Sequence, residues 1–497
     1  MPFASTRDWI QALEQAGELQ RISAPVSTEL EITEIANRQM KSPDGGKALL
    51  FENPTVPGSQ ISNLKSQIPV LINSLGSARR MSMALGVNHV DEVADQLGSL
   101  LKAKPPQSFG EAIGLIRQAL ELRHAKPKRV STGPCKDVIH RRPADIHGKG
   151  FSLRNLPILK CWPDDGGPFI TFPIVITHDP DTGERNWGMY RMQVYDGWTT
   201  GMHWQVHKVG ARHGRRYYET NQKMPVAVAI GGDPIHTFSA TAPLPDGLDE
   251  AMLSGFLRKK AVEMVKCETN DLEVPADADF ILEGYVQPGE TRGEGPFGDH
   301  TGFYTPVDPY PVFHVECITH RKDAVYPCTI VGKPPMEDFY IGTASVRIFL
   351  PIFKMNFPEI VDMALPAEGV FHNLVFVSIK KQYPWHAFKI ANGLWGMGQM
   401  MFSKIIVVVD ADVDVHNTSD VLFHLCANVD PQRDTTFSKG PSDSLDHAPT
   451  LPNMGSHMAI DATAKLPGEG YTRGWPKELK MDQGIQKKID SLLGGMH

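Results

Sequence analysis

Apolar positions near the start of the chain recur at helical spacing. Trp9, Ile10 and Leu13 share one face of a segment that Thr6 can cap and Gly17 can end. Leu30, Ile32 and Ile35 repeat that spacing over residues 30–40, and the unbroken apolar run at 48–51 reads as a short buried strand. Lys104-Pro105-Pro106 interrupts the pattern, a further helix fits 109–122, and residues 126–134 read as a linker. These elements predict an N-terminal α/β domain over residues 1–125.

From about residue 138 the texture changes to short β-rich runs separated by Gly, Pro and Asp. Strands are expected over 169–177, 187–195, 226–230, 280–286 and 313–318, with one helix, 248–265, among them. Many short strands and a single helix predict a barrel or sandwich over residues 126–320. Beyond it helix and strand alternate again. A strand at 374–379, a helix across 386–402, a strand at 405–409 and a helix near 419–427 predict a third, α/β domain over residues 321–497. Its last thirty or so residues are polar and Gly-rich until a short helix near 483–493, expected to pack on a partner subunit or fray.

Composition narrows the class. The 497 residues are 41% hydrophobic and 22% charged, which suits a globular chain and excludes disordered, collagen-like and coiled-coil ones. Lys plus Arg is 50 against 57 for Asp plus Glu, a net charge of −7, so the basic footprint of a duplex nucleic-acid binder is missing. No apolar run approaches the length of a spanning helix, and the N-terminus has no secretory pattern. The 6 cysteines form no CxxC pair. A soluble cytoplasmic enzyme is expected, with at most peripheral membrane contact and no nucleic-acid partner.

Single motifs are weak. Gly293-Glu294-Gly295-Pro296-Phe297-Gly298 matches GxGxxG, but its internal proline and the lack of helical periodicity after it oppose a dinucleotide site. What survives is a tight loop displaying Glu294 and Asp299. Asp410, Asp412 and Asp414 alternate at a strand end, yet Val415 and Val421 stand where a calcium loop needs Gly and Glu. His203, His207 and His213 have helical spacing, but Trp204 stands where a zincin needs Glu. In Asn186-Trp187-Gly188-Met189-Tyr190-Arg191, a glycine between aromatics leaves room for a flat ligand or another backbone. Glu250 sits at a helix start where Asp246 as N-cap, with Asp249 and Glu250 in the first turn, is sufficient capping chemistry.

Taken in order, the segments resemble the UbiD family of prenylated-flavin-dependent aromatic and acrylic acid decarboxylases. The resemblance runs through Leu30-Glu31-Ile32-Thr33-Glu34-Ile35-Ala36, Asn186-x-Gly188-x-Tyr190-Arg191 and Asn270-Asp271-Leu272-Glu273-Val274-Pro275. It continues through Glu294-Gly295-Pro296-Phe297-Gly298-Asp299-His300-Thr301-Gly302 to Ile379-Lys380-Lys381-Gln382-Tyr383. It is nearest to the ubiquinone and menaquinone branch. It implies a multidomain α+β fold: an N-terminal α/β lobe, a central split β-barrel of flavin-reductase type holding prenylated FMN, and a C-terminal α/β lobe that mediates oligomerisation. Asn186, His207 and Glu250 then bind manganese or magnesium bridging to the flavin phosphate. A potassium site also occurs in the family. Met189, Tyr190, Arg191, His203, Trp204, Gln205 and Lys208 match the segments lining the cofactor. Arg191, Glu294 and Asp299 match the catalytic acid–arginine–acid set, with Asp299 in the proton-donor position.

The implied partners are a hydroxylated aromatic carboxylate and CO2, a flavin prenyltransferase of the UbiX type, and further copies of the chain as a dimer or hexamer. Small phenolic, heteroaromatic or acrylic acids are alternative substrates, and pocket residues are expected near Thr329-Ile330-Val331-Gly332 and in the C-terminal lobe. An FMN oxidoreductase or flavin carrier is the alternative from another class. A proton donor useful near neutrality needs a raised carboxyl pKa. In an unbroken strand Asn186 and Arg191 would face opposite sides, so a bulge or strand end is expected near Gly188.

Overall fold

The computed structural model describes residues 3–57, 68–101, 124–143, 150–204, 209–244, 249–370 and 373–493. The helix expected over 109–122 lies outside them. Helix Thr6–Gln15 buries Trp9, Ile10 and Leu13 as the spacing requires, but its cap is Ser5, whose extended backbone lets the hydroxyl accept the Asp8 N–H. Helix Glu31–Met40 follows. Strands Leu19–Ile22, Ala48–Phe51, Val70–Ile72 and Tyr326–Cys328 form one four-stranded sheet in that order. Its last strand therefore comes from beyond residue 320. Helix Glu337–Asn356 stays with the same core, where Ile341, Ala344 and Ile348 pack among Trp9, Leu13, Leu50 and Leu71.

The central sheet is antiparallel throughout. Arg185–Gly188, Ile174–His178, Met224–Ile230, Phe280–Glu294, Asp308–His320 and Thr199–Gly201 lie side by side, and Val138–Arg141 pairs with Asp308–His320. Among the described residues its two end strands do not pair with each other. Three sequence expectations change here. The run 169–177 divides into Phe169–Ile170 and Ile174–His178 around Pro173, which lacks a ladder N–H. The run 187–195 divides into Arg185–Gly188 and Met192–Gln193. The helix expected over 248–265 is only Glu250–Arg258. It is capped by Asp249 rather than Asp246 and ends where Lys259 turns left-handed (φ 55°). The rest becomes strand Glu263–Lys266, held between Glu273–Pro275 and the distant Lys128–Val130.

The C-terminal sheet runs Ile360–Ala364, Leu374–Ile379, Ile405–Asp410, Met454–Asp461 and Thr435–Pro441, parallel in the middle and antiparallel at both edges. The helix expected across 386–402 is His386–Trp395, and a 3₁₀ turn, Gly398–Phe402, follows the Gly396-Met397-Gly398 break. Lys381 is buried in this lobe, with its ammonium 2.7 Å from Glu469 and 3.1 Å from Asp461. Helix Gln483–Leu493 exposes Ile485, Ile489 and Leu492 and buries nothing. Among the described residues no helix is long and apolar enough to cross a membrane.

Candidate active site

The strand carrying buried Asn186 and Trp187 stops at Gly188. A Cβ on Gly188 would lie 2.3 Å from the Tyr190 ring, so glycine lets that ring fold back beneath the strand. Met189 packs toward the core that the N-terminal helices share, and pairing resumes at Met192. Arg191 falls in this gap. The odd spacing from Asn186 therefore imposes no opposite-face constraint. Gly188→Ala is expected to displace the Tyr190 ring at a cost of about 1–3 kcal/mol. A thermal melt and the flavin content of purified protein check it; unchanged values would mean that Tyr190 has room to move.

Arg191 meets two acids that lie more than 100 positions further along the chain. Its Nε donates to Glu294 Oε1 at 3.0 Å, one terminal nitrogen pairs with Asp299, and the other donates to Thr305 Oγ1 at 3.2 Å. The guanidinium lies over the Phe297 ring, 4.5 Å from its centroid. Glu294 ends strand Phe280–Glu294, and its second oxygen accepts from His203 Nδ1 at 2.6 Å. The loop after it is a turn. Gly295 N–H donates to Gln193 Oε1 and Gly298 N–H to Asp165 Oδ1, both at 2.8 Å, and Phe297–Gly298 then pairs with Tyr304–Thr305. No helix starts here, which removes the dinucleotide reading. Trp162 fills the space beside both Gly298 and Gly332, so the 329–332 segment abuts this loop.

Charge decides the protonation states. Burial pushes Glu294 and Asp299 upward, but the groups around them outweigh it. His203 and Arg191 hold Glu294 below the usual carboxyl range, and Arg191 and His300 hold Asp299 well below it. His203 is pushed down by burial and by Arg191, so its neutral ring donates through Nδ1. His300 moves the other way: burial lowers it, but the Asp299 charge prevails and raises it. The raised carboxyl pKa expected of a proton donor is therefore not found at Asp299, because Arg191 is in direct contact with it.

A second polar group lies at the start of the same strand. Trp187 N–H donates to a Glu250 carboxylate oxygen at 2.8 Å, which brings Glu250 beside Asn186. Burial pushes Glu250 up to about 7. The side-chain Nδ2 of Asn186, Nε2 of His203 and Nε1 of Trp204 are buried without a hydrogen-bond partner among the described residues. Gln205, His207 and Lys208 lie outside the described residues. Asn186 Nδ2 and Trp204 Nε1 are orphaned donors that an anionic ligand would satisfy, His203 Nε2 is an acceptor left for a ligand donor, and the Glu250 carboxylate with the Asn186 amide oxygen suits manganese or magnesium.

Comparison with known proteins decides the family. Residues 10–100, 128–334 and 339–462 match the N-terminal, Rift-related and C-terminal domains of 3-octaprenyl-4-hydroxybenzoate carboxy-lyase. The chain belongs to the UbiD family. It is a UbiD-type carboxy-lyase with a multidomain α+β fold. An uncharacterised protein of Archaeoglobus fulgidus is 49% identical over 494 residues, covering 99% of this chain and 98% of that one. An uncharacterised Aquifex aeolicus protein is 48% identical over 491 residues, covering 99% and 98%.

Among solved UbiD-class structures, vanillic acid decarboxylase of Sedimentibacter hydroxybenzoicus in its closed form superposes with a TM-score of 0.83. It is 25% identical and covers 100% of this chain and 99% of its own. An evolved dimeric form of HmfF from Pelotomaculum thermopropionicum, in complex with prenylated FMN, gives 0.76 at 26% identity, covering 97% and 98%.

Other polar groups singled out in the sequence disperse in the UbiD fold. His213 faces Thr177 and Asp179, not His203. Asp410 accepts from Ala464 N, Asp412 pairs with Lys480, and Asp414 caps His416. Thr305 and His300 join the Arg191 cluster without having been singled out. Their only sequence signal is adjacency to the loop that carries both acids.

Proposed function

We propose that this chain is a prenylated-FMN-dependent enzyme that reversibly decarboxylates a hydroxylated aromatic carboxylic acid. Quinone-biosynthesis precursors of the polyprenyl-hydroxybenzoate or dihydroxynaphthoate type are its substrates. The observation that carries this reading is the buried bridge from Arg191 to Glu294 and Asp299, since merely holding a flavin needs no acid–arginine–acid set. Prenylated FMN bound to the similar HmfF supports the cofactor, and the family description supports the substrate class.

When bound, the prenylated flavin supplies the electron sink that decarboxylation of an aromatic ring requires. Asn186, His207 and Glu250 would hold a divalent cation, which would supply positive charge to offset the flavin phosphate. Met189, Tyr190, His203, Trp204, Gln205 and Lys208 line the flavin. Arg191 receives the substrate carboxylate, and His203 and Glu294 keep the guanidinium in place. As the substrate draws on Arg191, its pull on Asp299 weakens and the Asp299 carboxyl climbs toward its ordinary range. Asp299 then returns a proton to the ring carbon that has lost CO2. The units 1–125, 126–320 and 321–497 are the proposed domains, with the central one as a split β-barrel and the C-terminal one joining copies of the chain.

The test is the mass of the small molecule released from protein co-produced with a flavin prenyltransferase, followed by CO2 release from a panel of aromatic acids. A prenylated FMN mass with turnover of a prenylated hydroxybenzoate or a dihydroxynaphthoate is expected. Turnover confined to small phenolic or acrylic acids would overturn the quinone assignment. Ordinary FMN that bleaches rapidly with NADH would replace the decarboxylase reading by an oxidoreductase.

A further inference from the structure

Asp299 presents a problem of supply. It must hand over a proton in every cycle, yet it rests as a carboxylate between Arg191 and His300, with 4% of its side chain exposed. The proton must reach it through a neighbour. Arg191 does not release protons near neutrality. Thr305 reaches Arg191 rather than Asp299. His300 does reach it: its Nδ1 is 2.8 Å from Asp299 Oδ1, and its backbone N–H donates to the same oxygen at 2.7 Å. Two contacts to one oxygen fix the ring's direction. The imidazole has 18% of its side chain exposed against 4% for Asp299, but its Nε2 is buried and its Nδ1 faces Asp299, so solvent protons reach the pair only when the site empties.

Carboxylates on three separate segments act electrostatically on this ring. Asp299 lies on the active-site loop, Asp338 in the first turn of helix Glu337–Asn356, and Asp443 in the C-terminal lobe, and each favours the imidazolium. Lys41 and Asp299 in turn act on Asp338, whose carboxyl burial pushes up to about 6. The C-terminal lobe also touches the loop directly, with the His447 and Phe303 rings 4.4 Å apart.

We propose that His300 is the proton relay of Asp299, charged from solvent and emptied through the Nδ1–Oδ1 contact, with Asp338 and Asp443 holding the imidazolium between turnovers. This rests on the reading of Asp299 as the proton donor. As substrate draws Arg191 away, the Nδ1 proton passes to Asp299 Oδ1 and leaves a neutral imidazole. Asp299 gives that proton to the ring carbon as CO2 departs and is a carboxylate again. A solvent proton restores Nδ1 once product leaves. One substrate carboxylate and one proton have become one arene and one CO2, and no oxidant or reductant is consumed. His300 is thus a positioning residue that acts on substrate only through Asp299.

The first test needs no cofactor. The His300 ring is titrated by NMR in the isotopically labelled full chain and in Asp299→Asn. A His300 titration above that of an ordinary histidine, falling in the variant, is expected; a wild-type titration at or below the ordinary value overturns the relay. The second test uses the holoenzyme and the pH profile of kcat. His300→Asn keeps a donor near Asp299 but cannot titrate. It is expected to lose ~100-fold in kcat, to lose the high-pH decline of the wild type, and to recover part of the rate in imidazole buffer. A wild-type profile in His300→Asn overturns the proposal. If His300→Asn is unfolded, His300→Gln takes its place, judged by the same profile. A wild type that releases no CO2 from any acid of the panel counts against the decarboxylase reading, and the NMR titration still decides whether the pair shares a proton.

Discussion

Arg191→Ala is expected to lower kcat/KM for decarboxylation by ~10³-fold or more, comparable to removal of a preorganised charge-stabilising donor. The variant loses the group that receives the substrate carboxylate and strands two carboxylates inside the protein, since Glu294 and Asp299 are 0% and 4% exposed at the side chain. Breaking a buried pair from one side costs about 3–5 kcal/mol. The pH dependence gives the cause away. In the wild type both acids titrate below their unfolded values, so their stabilising contribution is present above about pH 4.5 and is lost as pH falls through the folded values. In Arg191→Ala the Arg191 part of that contribution disappears, and only His203 beside Glu294 and His300 beside Asp299 still oppose burial. The gap in melting temperature between the two proteins should therefore be wide near pH 7 and narrow only below about pH 4, as the wild-type pairs are lost. A gap that stays constant across that range would rule out the ion pairs as its origin.

Metal addition is expected to stabilise the protein strongly at pH 8 and hardly at pH 5. Glu250 is raised from 4.5 to about 7 by burial, so without a cation the folded state holds its proton more tightly than the unfolded chain does. The stability linked to that proton is fully present below about pH 4.5 and is lost as pH rises through 7, a swing of about 3 kcal/mol. A divalent cation bound as proposed at Asn186 and Glu250 would oppose the loss by supplying the opposite charge. Melts of chelator-treated protein with and without manganese, at both pH values, measure this. Glu250→Gln should abolish both the pH slope and the manganese response. An undiminished manganese shift in that variant would remove Glu250 from the ligand set.

Much of the local structure was legible because one face of each element meets a core. Trp9, Ile10 and Leu13 give their helix away, and the run at Ile405–Asp410 is buried on both sides of its sheet. The break at Gly188 was expected once the family likeness put both Asn186 and Arg191 at the site, since the two cannot share a side in a regular strand. The errors came from distant partners. Nothing local says that Glu263–Lys266 leaves its helix to pair with Lys128–Val130.

The site shows the same division. Arg191 and Glu294 are 103 positions apart, beyond any periodicity, and only a family likeness could join them. The charge state of Asp299 went against expectation because burial alone predicts a neutral acid, and the contact with Arg191 reverses the sign. His300 stood in the matched motif but was given no role, because the carboxylates that act on it, Asp338 and Asp443, come from other segments of the chain.

The strand Tyr326–Cys328 has a consequence for synthesis. As the chain leaves the ribosome, Leu19–Ile22, Ala48–Phe51 and Val70–Ile72 can assemble early, but the edge of Val70–Ile72 stays open until roughly 250 further residues have been added. An open edge on a nascent sheet is where one chain can pair with another, so the wait exposes the growing polypeptide to misassembly. The N-terminal lobe is thus finished only after the central sheet, and closing it ties that entire sheet into one loop of the chain between Ile72 and Tyr326.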